Sequence, residues 1–109
     1  MTFEELQDQV KKIKCQEVRV HNENYSEVVV EKINLPAMIS LLQSYFGPPL
    51  KAGGQKPTEE ARLCSERYGG IQANQTLYYQ KQDKSSRLAL LWPWGNGESS
   101  TVKIVQESL

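Results

Sequence analysis

The chain has a single histidine, His21, six residues after Cys15 in a stretch that alternates like a strand. An extended backbone sets those two side chains about 20 Å apart. A thiol nucleophile needs a base within hydrogen-bond reach and a further group to orient that base. Cys15, at a helix-strand junction, has no clear orienting group. Cys64 could meet His21 through folding, but Ala61, Cys64 and Tyr68 recur at spacings of three and four. That spacing puts Cys64 on the packed face of a helix, where a buried thiol is inert. One histidine, two cysteines and scattered carboxylates show no metal-ligand spacing, so neither a metal nor a cofactor is expected. His21 reads as a surface strand residue. Glu66, Arg67 and Tyr68 could move protons if they lined a cleft; otherwise Glu66 belongs to an ordinary helix surface.

Two segments could bind rather than react. Gly53-Gly54, flanked by Lys51 and Lys56, sits ahead of a helix start, where backbone N–H groups and the helix dipole suit an anion. The phosphate-loop spacing and its Gly-Lys-Ser/Thr ending are absent, and Glu59 and Glu60 at that helix start oppose an anion. The segment therefore reads as a proline-rich surface connection. It is mildly positive, because Lys32, Lys51 and Lys56 occupy a stretch with no carboxylate between Glu31 and Glu59. Facing outward beside Tyr45, Phe46 and Tyr68, it would receive an acidic or aromatic-tolerant partner. The second segment, Trp92-Pro93-Trp94-Gly95-Asn96-Gly97, is a rigid aromatic turn of the kind that anchors interfaces. Trp92 should point into the core with Leu88 and Leu90, whereas Trp94 lies beyond the proline and is placed more freely. Tyr45, Lys51, Lys56, Tyr68 and Trp94 are the candidate binding residues.

The elements that must position these groups follow from periodicity. Thr2 and Glu5 stand in capping-box spacing, and Phe3, Leu6, Val10 and Ile13 form one apolar helical face. From Cys15 the period changes to two, with Val18 and Val20 expected on one side and Glu17, Arg19 and His21 on the other. Asn22 to Asn24 turn the chain into a second strand, Tyr25 to Lys32, with Val28 and Val30 inward and Glu27 and Glu31 near Arg19. Asn34 is the expected N-cap of a helix with Pro36 in its first turn, and no charged residue falls between Leu35 and Phe46. So mild a helix is either central or part of a contact between subunits. Gly47-Pro48-Pro49 stops it. A short helix capped by Thr58 ends at Gly69-Gly70. Three strands follow: Thr76 to Gln82, Arg87 to Trp92 and Ser100 to Gln106. The middle one is apolar throughout from Leu88 to Trp92, so it must be covered on both faces or lie centrally. Asp83 to Ser86 makes one turn, and Asn96-Gly97 suits a type I′ hairpin.

The order αββααβββ predicts an α+β two-layer fold, an antiparallel sheet of about five strands with helices packed on one face, formed as a single domain over residues 1–109. The composition agrees: 109 residues, 39% hydrophobic and 24% charged, suit a folded chain that needs no disulfide or metal staple. Thirteen basic groups against thirteen acidic ones disfavour a nucleic-acid partner, since such binding draws on excess Lys and Arg. No apolar run approaches a membrane span and no signal-peptide pattern opens the chain, so a cytoplasmic protein is expected. Within the neutral total, residues 1–34 carry five basic and seven acidic groups and residues 35–109 carry eight and six. The leading functional expectation is a non-enzymatic interaction or accessory protein whose partner is a protein, with a homodimer through the uncharged helix or an exposed edge strand as the first form. The alternatives are a small-ligand sensing domain with its pocket near Tyr68, Tyr79 and Trp94, and an enzyme or enzyme subunit.

Overall fold

A computed structural model describes residues 1–108. Its elements run α1 (Phe3–Lys12), β1 (Glu17–His21), β2 (Tyr25–Glu31), α2 (Leu35–Phe46), α3 (Glu59–Ser65), β3 (Thr76–Gln82), β4 (Ser85–Pro93) and β5 (Ser99–Ser108). This is the αββααβββ order of an α+β fold. The five strands form one antiparallel sheet in the order β1-β2-β5-β4-β3.

Local chemistry starts the helices where the residue types require. Thr2 Oγ1 accepts from the Glu5 backbone N–H at 3.1 Å, and Glu5 Oε1 accepts from the Thr2 N–H at 3.2 Å, closing the capping box of α1. Thr58 caps α3 by accepting from the Ala61 N–H. At α2 the outcome differs from expectation. Asn34 ends a 3-10 turn, Lys32–Asn34, and its side chain makes no cap bond. The preceding turn already directs the chain into the helix, and Pro36 in the first turn has no N–H in need of a partner.

The long helices α1 and α2 form a layer on one face. There Phe3, Leu6, Val10, Met38 and Leu42 bury against Val28, Val30, Tyr78, Ala89, Leu91, Val102 and Ile104. Strand alternation sends Leu77, Leu88, Leu90 and Val105 to the opposite face, where Ala61, Cys64 and Ile71 pack on them. The two-layer arrangement thus belongs to the long helices, and the short α3 covers the other side of β3 and β4. This is the two-sided cover that the unbroken apolar run of β4 demands.

Both sheet edges are blunted. Val18 stands opposite Val28 and Val20 opposite Glu27, with Arg19 as an extra residue between them, a β-bulge. The bulge resets the alternation, so Val18 and Val20 lie on opposite faces rather than sharing one side as their spacing predicts. Both are exposed, at 60% and 37%. At the other edge Lys51 pairs with Leu77 through two backbone bonds of 2.9 and 3.2 Å. Upstream, Pro48 and Pro49 have no N–H with which to extend that ladder.

The β4–β5 connection also departs from expectation. A type I′ turn needs positive φ at both central residues, and of Asn96 and Gly97 only Gly97 has it, at 73°. The chain instead makes a five-residue connection, Trp94 to Glu98. Gly97 donates to the Trp94 carbonyl, and Asn96 Oδ1 takes the Glu98 N–H.

Candidate functional site

With α3 confined to β3 and β4, the half of that face formed by β1, β2 and β5 has no α-helix above it, and only the 3-10 turn Glu66–Tyr68 reaches over its β5 side. Long side chains cover it instead. Trp92 and Trp94, two apart on β4 and its extension, project to this side, as do Tyr25 and Glu27 from β2 and Lys103 from β5. The Trp94 indole N–H donates to Thr101 Oγ1 at 2.9 Å, and Arg19 lies 6.0 Å above the ring. The bulge in β1 gives Arg19 that reach. The same guanidinium meets Glu17 at 3.3 Å and Glu27 at 3.4 Å.

Beside it, the Lys103 ammonium sits 3.9 Å from the Trp92 ring centroid and donates to the Tyr68 carbonyl at 3.0 Å. Burial lowers the Lys103 pKa, and the nearby Glu27 carboxylate opposes that shift. Glu27 itself is held below the usual carboxylate range, first by the Tyr25 hydroxyl, which donates to it at 2.6 Å. Tyr68 stacks on Tyr25, with centroids 6.4 Å apart, and donates to Glu107 at 2.5 Å. Burial and that bond push the Tyr68 pKa up to about 12. Among the described residues the buried Trp92 indole N–H meets no acceptor, a cost of about 1–3 kcal/mol that the cation on the ring face offsets in part. The result is a half-exposed surface in which aromatic faces alternate with both signs of charge.

Of the residues singled out from the sequence, this face gathers Tyr68 and Trp94. Tyr45 lies on the α1–α2 side, packed edge-on against Phe46 at 4.7 Å and against Phe3 at 6.3 Å. Lys51 points inward and is 2% exposed; its ammonium donates to the carbonyls of Gln72, Ala73 and Gln75 at 2.9, 2.5 and 2.6 Å. All three of its protons are used, so the positive loop presents only Lys56 to solvent. The residues that sequence reasoning missed, Arg19, Tyr25, Glu27 and Lys103, did carry a signal in part. Tyr25 and Glu27 share a strand face by period two, but the bulge that brings Arg19 over Trp94 leaves no mark in residue types.

His21 is hydrogen-bonded in a way that bears on its chemistry. Gln7 Nε2 donates to the Asn22 carbonyl at 3.1 Å, which turns Gln7 Oε1 toward Ser26. Ser26 must then donate its proton to Gln7 at 2.7 Å, and His21 Nδ1, 2.8 Å from Ser26 Oγ, must be the donor to Ser26. His21 therefore does not act as a base toward Ser26. Burial pushes the Cys15 and Cys64 thiols up, so neither is poised as a thiolate.

Four clefts formed by the described residues are lined by none of Tyr68, Tyr79 and Trp94. An open one of about 660 Å³ lies between the start of α1 and the β1–β2 turn and includes Glu4, Asp8, His21, Glu23 and Arg87. No helix among the described residues is long and apolar enough to cross a membrane. Compared with protein-family models, with curated proteins and with solved structures, the chain matches none.

Proposed function

We propose that this protein is a small non-enzymatic interaction module that docks a protein partner, in the first instance a second copy of itself, on the half of the sheet that has no α-helix above it. The observation that carries this reading is the face of β1, β2 and β5 that side chains rather than an α-helix cover. Trp92, Trp94, Tyr25 and Tyr68 lie half-buried there among Arg19, Lys103, Glu17 and Glu27. Large aromatics and arginine dominate the energetics of protein contacts. A face that carries both signs of charge is also complementary to itself across a two-fold axis. The blunted edges of the sheet favour a face over an edge as the contact.

Sedimentation equilibrium tests the reading. The wild-type chain should sediment as a dimer and the Arg19→Ala, Trp94→Ala chain as a folded monomer, with indole emission shifting red on dissociation. A wild-type chain that stays monomeric at high concentration removes the self-partner. A dimer that the double variant leaves intact moves the contact to the uncharged helical surface, the exposed Ala37, Ser40, Gln43 and Ser44 side of α2.

A further inference from the structure

A second, separate feature lies on the opposite face, where β1 extends past the cover of α1. Between the end of that helix and the strand is a slot of about 240 Å³. Its walls are Val10 from α1, Ile13 just after its end, Val18 and Val28 from the first two strands, and Cys15 from the junction. The bulge sets its open side: Val18 pairs with Val28 on this face and is 60% exposed, while Val20 is turned to the other. The Cys15 Sγ–H points to the Ile13 carbonyl at 3.4 Å, so the thiol lines the wall as a small apolar group.

The remaining lining residues are Lys11, Lys14 and His21, and no carboxylate is among them. Glu4 and Asp8 of α1 and Glu23 of the neighbouring turn line the adjoining larger cleft instead, which shares Lys11 and His21 with the slot. Pockets for drug-sized molecules run from about 300 Å³ upward, so this slot takes something smaller. Apolar walls ask for a hydrocarbon body, and a rim carrying only basic side chains asks for a negative head.

We propose that this slot binds a small organic anion with an apolar body, of the class of short-chain carboxylates. The tail lies between Val10, Ile13, Val18 and Val28, and the carboxylate reaches Lys11 and Lys14 at the mouth. The site is independent of the sheet face argued above, and either can fail without the other.

The test uses the full chain carrying Cys64→Ser, with octanoate below its micelle concentration as the probe and octylammonium as its charge-reversed counterpart. Octanoate should shift the Val18 and Val28 methyl resonances saturably and slow alkylation of Cys15 by iodoacetamide. Hexanoate, two methylenes shorter, should bind about tenfold more weakly. Lys11→Gln with Lys14→Gln should weaken octanoate about fivefold while leaving thermal unfolding unchanged. Val18→Asp, at an exposed position, should abolish protection of Cys15. Equal binding of octylammonium, equal binding by the double lysine variant, or no shift at Val18 and Val28 would each overturn the proposal. So would binding of a leucyl-aspartate peptide amide without binding of octanoate, which would assign the slot to a protein partner.

Discussion

An ammonium group has three protons, and at Lys51 three backbone carbonyls take them, from Gln72, Ala73 and Gln75. The side chain ties the connection after α2 to the loop before β3, two segments with no regular structure of their own. Burial pulls its pKa below the usual lysine value, while the carbonyl dipoles favour the charged form. Lys51→Met keeps the stem, removes the donors and leaves the carbonyls to find other partners. The expected loss is about 2–3 kcal/mol, read as a lower urea midpoint with an unchanged slope. A variant as stable as the wild type would show that the loop holds itself. The residue type pointed to solvent, because a lysine between glycines and prolines is ordinarily a surface group. Only the arrival of three carbonyls from more than twenty residues away makes it a core residue.

At the scale of elements, the turn from α3 into β3 is governed by Trp92. Gly69 has φ of 104°, and a Cβ built there would fall 2.5 Å from Trp92 Cη2 and 3.0 Å from Cζ2. The glycine lets the backbone close over the indole, where its neighbour Tyr68 can receive Lys103. Gly69→Ala combines backbone strain with a clash against a packed ring, for an expected loss of about 2–4 kcal/mol and a changed near-ultraviolet dichroism of Trp92. Gly70 is the control: its φ is 79° but nothing lies within 4 Å of its Cβ position. Gly70→Ala should cost only about 1–2 kcal/mol and leave the tryptophan signal in place. Similar losses at the two positions would remove the role assigned to the contact. Gly69-Gly70 was legible as the stop of the helical stretch, but α3 itself ends at Ser65 and Glu66–Tyr68 form a 3-10 turn before the glycines; the double cover of β4 was legible too. The bulge in β1 was not, because it depends on how Val18 and Val20 pair with β2 rather than on their own types.

At the scale of the whole molecule, burial pushes all five tyrosines above the ordinary phenol value, Tyr25 and Tyr68 furthest. The unfolded chain ionises near pH 10. The stabilisation linked to these shifts is therefore complete below about pH 10. It is lost as pH rises from there through the folded values, about 12 for Tyr68. Phenolate absorbance should stay low through about pH 10.5 and then appear together with the loss of far-ultraviolet dichroism. Gradual titration of several tyrosines at their ordinary value with the dichroism intact would contradict this account. The five rings are spread over β2, α2, the turn after α3, and β3, so one titration reports on both faces of the sheet.

What the chain's own pattern determined was local and periodic: the capping box of α1, the Thr58 cap, the element order and the two apolar faces of β4. Each depends on residues within a few positions of one another, where backbone geometry alone decides which side chains meet. The register of β1 on β2, the inward turn of Lys51 and the gathering of Tyr68 and Trp94 with Arg19 and Lys103 came only with the tertiary structure. These contacts join residues far apart in the chain, and their geometry follows from strand pairing and from which face each helix covers. The same distinction separates the two proposed binding surfaces from the sequence: both lie beside a bulge whose single extra residue sends Val18 to one face and Val20 to the other.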